Sequence, residues 1–400
     1  MKNKRVFFLL LGSILAACTP FDEPPSGGDR RRPVNGVAHI APDTPETPSP
    51  SQPPPEPDTV LYCTAVRFPD GYDWQRDSAY GSVPFELILY RDCDPVLTLA
   101  WDAEACFGPD PDRHHLLGGQ LYTERLSGGQ TRIGRDGKEL FRFEGREFLV
   151  GLLPDGTDLY TLSRNTSGAG FRYRKNGTVL MESDSGTPFG DLSDPSYGPT
   201  GALYRDEGAI IFCYRDDLKL FQVRDGGAGV RENRLAAGSV LDCKVDDGHA
   251  ILLQTNQLGS RLRDGRIWLL PGSRIASGYF LTARAMGFSG WMELLAGPPA
   301  RTICKEEATI YCSPEGTYAI AADNAGRVRW YGPDGFGSAA FPARFFSPKC
   351  ATVFDGQLVL ALTPMDASLP PRLIWGTQQM EFDLNGYISA VAVEVSLPAS

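Results

Sequence analysis

An all-β fold built from repeated four-stranded sheets is the fold class that this 400-residue sequence predicts, on three observations. Residues 148–182 contain four short runs of alternating apolar and polar residues, separated by turn residues. Similar turn pairs recur along the chain at spacings of about 40 residues, the length of a four-stranded blade. Long helical patterns are absent, so the chain is predicted to fold through short strands and tight turns.

Each strand of the 148–182 unit ends at an identifiable turn. The run FLVGLL ends at Pro154-Asp155-Gly156, and DLYTL ends in the loop at 165–170. The run FRYR turns at Asn176-Gly177 into TVLM. Asn-Gly and Asp-Gly supply the positive φ values that tight hairpins need, so the unit predicts one antiparallel meander.

Two series of turns extend this pattern along the chain. The first series, between first and second strands, comprises Gly118-Gly119, Asp155-Gly156, Glu207-Gly208, Asp247-Gly248, Ser289-Gly290, Glu315-Gly316 and Asp355-Gly356. The second series, between third and fourth strands, comprises Arg91-Asp92-Cys93, Arg135-Asp136-Gly137, Lys175-Asn176-Gly177, Arg224-Asp225-Gly226, Arg263-Asp264-Gly265 and Pro333-Asp334-Gly335. The two series stay in phase.

A single four-stranded meander cannot cover both of its faces, so such units must stack, and radial stacking protects nearly all their edges. The sequence therefore predicts a β-propeller of seven to eight four-stranded blades. Eight is preferred, with one irregular blade between Gly290 and Glu315, where few residues are available. An open β-solenoid and a pair of sandwiches are the alternatives.

The two ends of the repeat region predict how the ring closes. Residues 388–395 form an alternating strand with no partner after it, whereas residues 60–68 begin a unit that lacks its first strand. A C-terminal strand that completes the N-terminal blade would leave no open edge. We therefore expect Val391 to lie near Tyr62.

The first 17 residues have the features of a signal peptide: a basic start followed by an apolar run too short to span a bilayer. The segment Leu15-Ala16-Ala17-Cys18 matches the bacterial lipobox, and the chain resembles a bacterial lipoprotein. The resemblance implies that Cys18 is lipidated and anchors the protein to a membrane. It implies an outer membrane lipoprotein, with cell-surface display and a periplasm-facing orientation both left open. The alternative is an ordinary secretory signal with an incidental cysteine.

Residues 18–58 are rich in proline and lack periodicity, which predicts a solvated, disordered tether. Residues 59–400 are then a single β-propeller domain. Its chain contains no apolar tract long enough for a second membrane span. The net charge of −10 argues against nucleic acid as a partner, because neutralised phosphates supply that affinity.

Eight cysteines remain besides Cys18, an even number that is compatible with disulfides in an exported protein. The repeat suggests three candidate pairs: Cys63 with Cys350, Cys304 with Cys312, and Cys93 with Cys106. The alternative is that several of them are buried thiols. No C-x-x-C pair occurs, so we expect no metal of the usual zinc type, and no sequence motif indicates a cofactor.

Side chains with catalytic potential are sparse. His114 and His115 are expected at the surface, and no nucleophile elbow, zinc-protease motif or nucleotide loop is present. Asp242 and Glu293 are acids within strand patterns and form a weak candidate pair for glycoside hydrolysis. No catalytic residue is assigned.

Three aromatic residues form a candidate ligand-binding loop: Tyr72, Trp74 and Tyr80. Such rings stack on sugars or anchor a protein partner; the alternative is that they pack onto a neighbouring sheet. The sequence thus predicts a membrane-anchored extracytoplasmic lipoprotein that is a non-catalytic binding or scaffolding module for a glycan or a protein. The alternatives are a polysaccharide hydrolase or lyase with acids in a central channel, and a structural subunit of an envelope complex.

Overall fold

A computed structural model describes the part of the chain that carries the repeat. The described residues are 58–76, 83–101, 113–166, 168–190, 192, 200–237, 240–246, 249–254, 266–269, 295–296, 301–302, 309–313, 316–323, 325–332, 335–344 and 348–396. The chain divides into two compact units, Met1–Pro54 and Pro55–Ser400, and every described residue belongs to the second unit. The predicted signal peptide, Cys18 and most of the tether lie outside the described residues.

The described residues form short strands throughout. The strands are β1 (Asp58–Arg67), β2 (Phe85–Arg91), β3 (Asp94–Trp101), β4 (His114–Leu117), β5 (Gln120–Ser127), β6 (Gln130–Arg135), β7 (Lys138–Arg142), β8 (Glu147–Asp155), β9 (Asp158–Asn165), β10 (Phe171–Lys175), β11 (Thr178–Ser183), β12 (Thr187–Pro188), β13 (Tyr204–Asp206), β14 (Ala209–Asp216), β15 (Lys219–Gly226), β16 (Gly229–Ala237), β17 (Val240–Asp246), β18 (His249–Gln254), β19 (Arg266–Leu269), β20 (Leu295–Ala296), β21 (Arg301–Thr302), β22 (Thr309–Ser313), β23 (Gly316–Ala322), β24 (Val328–Gly332), β25 (Gly335–Ser338), β26 (Ala343–Arg344), β27 (Ala351–Phe354), β28 (Gln357–Pro364), β29 (Arg372–Trp375), β30 (Gln378–Glu381) and β31 (Gly386–Ser396). A 3-10 turn at Pro348–Cys350 precedes β27.

The strands pair in antiparallel fashion into several four-stranded sheets. Strands β4 to β7, β8 to β11 and β22 to β25 each form a meander in chain order. The predicted unit at 148–182 is confirmed, because it contains the strands β8 to β11. The protein is therefore all-β, with repeated sheets consistent with a propeller-like fold.

The N-terminal sheet has the order β3-β2-β1-β31, so it contains the last strand of the chain. Tyr62 lies opposite Ala392 and Cys63 opposite Val391. The predicted pairing of the two ends is thus confirmed. The physical reason is that β1 would otherwise be an exposed edge with unpaired backbone groups.

The turns between third and fourth strands do more than reverse the chain. In three sheets, the turn residue has a positive φ and hydrogen-bonds the second strand twice, once through its backbone N–H and once through a side-chain oxygen. The turn oxygen accepts from the partner N–H at 2.9 Å for Asp92 with Leu61, 2.9 Å for Asp136 with Leu121 and 2.8 Å for Asn176 with Leu159. We call this contact the turn clamp.

One member of the second turn series is placed differently from the prediction. Asp225 and Gly226 are the last residues of β15, and β16 begins at Gly229, so the turn falls two residues later. The carboxylate of Asp225 instead accepts a hydrogen bond of 2.9 Å from the hydroxyl of Tyr173 in the preceding sheet. The predicted position of this turn was wrong because the Asp225 side chain binds Tyr173 of the preceding sheet instead of the turn backbone.

Hydrophobic clusters lie between successive sheets rather than in one central core. Each cluster combines buried side chains from two sheets: Val66 and Leu87 with Leu116 and Leu121, Leu117 and Ile133 with Leu149 and Leu152, Leu162 and Tyr173 with Phe212 and Val223, and Ile320 with Leu358 and Leu360. Stacking of this kind covers the faces that one meander leaves exposed. Within the described part of the chain, no helix is long and apolar enough to cross a bilayer.

Candidate functional site

The loop between β1 and β2 carries the predicted ligand-binding aromatics. Trp74 is only 4% exposed and stacks on Phe68 at a centroid distance of 5.7 Å. Its ring also lies 5.3 Å from that of Tyr387. Tyr72 is half-buried and packs against the same cluster, and Tyr80 lies outside the described residues. Trp74 therefore contributes to the core, as the alternative interpretation expected.

A groove opens beside this loop, where β1, β2 and β3 meet β5. We call it the first groove; its volume is about 860 Å³. Phe85 and Trp101 line it together with the charged residues Arg67, Asp70, Glu86 and Arg125. The size falls within the range of ordinary ligand pockets, which is about 300–1,000 Å³.

The first groove holds its polar groups in fixed positions. The guanidinium of Arg67 donates to Glu86 through Nε at 2.6 Å. The guanidinium of Arg125 lies 3.9 Å from the ring centroid of Trp101. Trp101 itself is 3% exposed, and its buried indole Nε1 finds no acceptor among the residues that the structure describes. Because this N–H is buried, a ligand in the groove cannot reach it, and the role of Trp101 is to hold the guanidinium of Arg125 in position.

A second groove, of about 570 Å³, lies on the other side of the same loop. Its lining includes Asp70, Ser368, Glu381, Asp383 and Asn385. Asp70 lines both grooves. The described lining of the second groove is acidic, with Asp70, Glu381 and Asp383 and no lysine or arginine among the residues that the structure places there.

The loop that separates the two grooves is fastened to the C-terminal strand. The side-chain amide of Asn385 donates to the carbonyl of Pro69 at 2.8 Å and to that of Tyr72 at 3.0 Å. The backbone N–H of Phe68 also donates to the carbonyl of Asn385 at 2.8 Å. The position of Asp70 between the grooves is therefore set by the pairing of the chain ends.

A second polar feature lies deep between β1, β4 and β31. His114 is 2% exposed, and its Nε2 lies 2.8 Å from the hydroxyl of Ser389. That hydroxyl lies 2.9 Å from the Thr64 hydroxyl. The expectation of a surface histidine was wrong, because all four residues of β4 are covered by neighbouring sheets. Burial lowers the pKa of His114 to about 3, so the ring is neutral at pH 7.

His115 is buried in the same strand, which also contradicts the expected exposure. Its Nδ1 lies 3.0 Å from Nζ of Lys349, and since an ammonium only donates, Nδ1 is the acceptor. Burial, with a contribution from Lys349, lowers the pKa of His115 well below its ordinary value. Within the described part of the chain, nothing hydrogen-bonds its Nε2.

Glu124 completes this buried group. Its carboxylate accepts from Arg113 at 3.1 Å and from the N–H of Leu149 at 3.2 Å. Burial raises the pKa of Glu124 to about 7, against the opposing effect of Arg113. Ser389 and His114 contact each other as a serine nucleophile and its general base would. Both residues are buried, however, and closed to a substrate. This arrangement supports a structural role for the cluster.

The described cysteines are buried or half-buried. Cys63 and Cys350 are each 1% exposed and belong to one hydrophobic cluster. The thiol of Cys350 donates to the carbonyl of Ile388 at 3.2 Å, and that of Cys93 contacts the sulfur of Met380 at 3.4 Å.

The other predicted residues are less fully described. Cys106 and Cys304 lie outside the described residues, and Cys312 is described only as a backbone position in β22. Of the weak acid pair, Asp242 lies in β17 and Glu293 is outside the described residues. In the part of the chain that the structure describes, no group of three or more His, Cys, Asp or Glu side chains could hold a metal ion.

Comparisons with known proteins define no family for this chain. No protein-family model matches it, and no curated protein matches it. A prolyl endopeptidase structure superposes with 12% identity and a TM-score of 0.39, covering 84% of this chain and 51% of that one. The chain thus spans about half the length of that enzyme.

Two further solved structures are similarly distant. A Bacteroides uniformis protein assigned provisionally as a 6-phosphogluconolactonase has 10% identity and a TM-score of 0.38, covering 84% of this chain and 99% of that one. Oligopeptidase B from Leishmania major has 9% identity and a TM-score of 0.38, covering 85% of this chain and 50% of that one. Likenesses this weak carry no argument, so the fold rests on the strand pairings.

Sequence reasoning located the loop but missed the groove beside it. Trp101 ends β3 and Arg125 lies in β5, and nothing in their spacing indicates that they meet. One signal was available: a tryptophan at the end of a predicted outer strand. The buried histidines could have been found from the four apolar or aromatic residues of β4, which do not alternate.

Proposed function

We propose that this chain is a membrane-anchored extracytoplasmic lipoprotein whose β domain is a non-catalytic binding module for a glycan or a protein partner. The observation that carries the proposal is the first groove, with its fixed charged side chains beside the rings of Phe85 and Trp101. The charges in the groove balance, since Arg67 and Arg125 are matched by Asp70 and Glu86. Balanced donors and acceptors near aromatic rings suit a polyhydroxylated ligand, which favours a glycan over a protein.

We also propose a closed ring of sheets and a lipid anchor that holds it at the outer membrane. The sheets are proposed to form a closed ring of seven to eight blades, eight preferred, because successive sheets share hydrophobic clusters and β31 joins β1. The lipobox at Leu15–Cys18 and the Pro-rich residues 18–58 support a lipid anchor on Cys18 with a tether to the outer membrane. Lipid labelling of the full chain with and without Cys18→Ser tests the anchor.

A glycan array probed with the full chain tests binding, together with pull-down of partners from intact cells. We expect Trp101→Phe, which removes part of the ring that holds the Arg125 guanidinium in the first groove, to weaken the affinity for the bound glycan about tenfold. Trp375→Phe is the matched control, because Trp375 is a half-buried tryptophan in β29 that does not line either groove. A blank array and pull-down, with cleavage of a polysaccharide by the purified protein, would replace binding with the hydrolase or lyase alternative.

The candidate disulfides remain a separate proposal. Cys63 and Cys350 share a cluster at the pairing of the chain ends, where an oxidised pair would join the first strand to the last sheet. Mass mapping of peptides from protein kept under non-reducing conditions tests the three pairs. Eight unmodified thiols after export would remove the proposal.

A further inference from the structure

The exposed apolar side chains of the described residues concentrate at one end of the sheets. Strand β1 begins there at Asp58, where the Pro-rich residues 18–58 end. The three turn clamps lie at the same end, because each turn hydrogen-bonds a second strand near its start. We call this the tether end. Of the eight large apolar side chains that the described residues expose, five lie there: Val96, Leu140, Val179, Leu180 and Val395.

Three of these side chains occupy the same position in three consecutive sheets. Val96, Leu140 and Leu180 are each the third residue of a fourth strand, in β3, β7 and β11. Pairing skips Val96, because Pro95 and Leu97 oppose consecutive residues of β2, and it skips Leu140 and Leu180 in the same way. A bulge protects an edge strand without requiring an apolar residue. Single exposed apolar side chains are common, whereas an equivalent one in each of three sheets indicates a surface with a function.

Contacts between the sheets bring these positions next to one another. The backbone N–H of Gly119, in the turn between β4 and β5, donates to the Glu394 carboxylate of β31 at 2.7 Å. Gly177, in the turn between β10 and β11, packs so closely on β7 that a Cβ atom there would lie 3.0 Å from the ring of Phe141. Phe141 directly follows Leu140. The tether ends of the three sheets therefore lie side by side.

The first groove lies at the opposite end of the same sheets. Two of its lining residues, Arg67 and Trp101, are the last residues of β1 and β3. At about 3.3 Å per residue, the 10 residues of β1 place Asp58 roughly 30 Å from Arg67. We propose that the tether end lies against a lipid surface, so that the first groove opens away from the membrane. The proposal rests on the proposed lipid anchor, whose tether joins the domain at this end.

Charge and strand geometry favour lipid as the occupant of this surface. Charged side chains near the apolar ones pair with each other, Arg142 with Glu139 at 2.7 Å and Lys175 with Asp158 at 2.8 Å. These pairs offset the basic charge that would attract anionic lipid, so apolar burial is the main attraction. Bulged edge strands are poor templates for pairing with a second copy of the chain. An anchor also holds the domain at a high local concentration of lipid, so a weak contact is sufficient.

Photolabelling of the full lipidated chain in phosphatidylcholine vesicles tests the proposal, with a photoreactive group on the lipid acyl chain and mass spectrometry of the labelled peptides. Leu218 lies in the turn between β14 and β15, at the opposite end from the tether. We expect the peptides that contain Val96, Leu140 and Leu180 to be labelled about tenfold more than the peptide that contains Leu218. Added salt should leave the labelling unchanged, because screening acts on charge and not on apolar burial.

Two double variants separate the tether end from the opposite end. Val96→Thr with Leu180→Thr removes two of the three equivalent apolar side chains and should lower the labelling of the unchanged β7 peptide about fivefold. Leu218→Thr with Met365→Thr is the matched control and should keep the labelling. The exposed fractions match, at 55% and 36% for the control against 55% and 40%. Threonine suits an exposed strand position, and urea unfolding of both variants checks that they fold.

Three results would overturn the proposal. Equal labelling of the two ends, or an equal loss in both double variants, would show that the apolar side chains do not orient the domain. Stronger labelling of the Leu218 peptide would place the first groove against the membrane. Cross-links between the β7 peptides of two copies, in place of lipid labels, would show that a second copy covers the surface. Absence of the protein from floated vesicles would instead refute the lipid anchor itself.

Discussion

Two glutamates in neighbouring sheets differ in protonation although both are almost closed to solvent. Glu147 at the start of β8 is 2% exposed and Glu124 in β5 is 1% exposed. Arginine contacts both carboxylates. The pKa of Glu147 is nevertheless lowered, whereas that of Glu124 is raised to about 7. Glu124 suffers the larger desolvation and has fewer donors, so both burial and the number of donors account for the difference.

Glu147 is surrounded by donors. Burial alone would raise its pKa, but the hydrogen bonds from Arg174, Ser163 and Arg172 outweigh that effect. Arg174 is bidentate, with both contacts at 2.8 Å, and Arg172 donates at 2.7 Å. The Ser163 hydroxyl donates as well. Arg174 is held in place by the ring of Phe143, whose centroid lies 4.0 Å away.

Among the described residues, the donors to Glu124 are Arg113 and the Leu149 N–H, at 3.1 Å and 3.2 Å. These contacts do not offset the loss of hydration. One buried arginine contact is therefore insufficient to keep the Glu124 carboxylate fully ionised at pH 7, whereas two guanidiniums and a hydroxyl are sufficient for Glu147.

The largest effect is expected for removal of the Glu147 charge. Glu147→Gln leaves Arg174 buried beside a neutral amide and should lower the free energy of unfolding by about 3–5 kcal/mol. Glu124→Gln is the matched control and should cost about 1 kcal/mol, because Glu124 is already close to half-protonated at pH 7. Urea unfolding of both variants at pH 7 measures the two losses in the free energy of unfolding. Equal losses would contradict the comparison.

The next effect is a pH dependence. The folded protein holds the Glu124 proton up to pH about 7, whereas the ordinary carboxyl pKa is 4.5. The folded state therefore binds the extra proton in this window, and raising the pH from 4.5 to 7 should remove roughly 3 kcal/mol of stability. His114 acts in the opposite direction: its pKa is lowered from 6.5 to about 3, so its contribution is lost as the pH falls below 6.5.

The difference between wild type and Glu124→Gln isolates the Glu124 contribution, because His114 is present in both proteins. Urea unfolding of both proteins at several pH values from 4.5 to 7.5 should show the wild type losing roughly 3 kcal/mol of stability relative to Glu124→Gln as the pH rises. A constant difference across this range would therefore show that the pKa of Glu124 is ordinary.

The smallest expected losses of stability come from removing single buried hydroxyls, one with a charged partner and one with neutral partners. Ser163→Ala removes a donor to the Glu147 carboxylate and should cost about 2 kcal/mol. Ser389→Ala removes a hydroxyl between His114 and Thr64, both neutral, and should cost about 1 kcal/mol. Thermal unfolding of the two variants at pH 7 compares them. A larger loss for Ser389→Ala would reverse the assignment of the stronger polar network.

The strand pattern was largely predictable from the sequence, and the candidate site was not. Alternation bounded by Asn176-Gly177 identified a hairpin because few residues adopt positive φ there. The groove around Trp101 depends on which sheets meet, and that contact joins residues far apart in the chain. Burial of His114 was missed for the same reason, since a neighbouring sheet covers it.

The sequence by itself determined the all-β class, the repeat, the turns and the pairing of β1 with β31, because local backbone preferences and unpaired edges leave few alternatives. Only the tertiary structure decided that Trp74 is a core residue, that Asp225 serves Tyr173, and that Glu124 and Glu147 differ in protonation. The physical reason is that these properties depend on desolvation and on the number of donors within about 3 Å, which distant segments supply when they pack together.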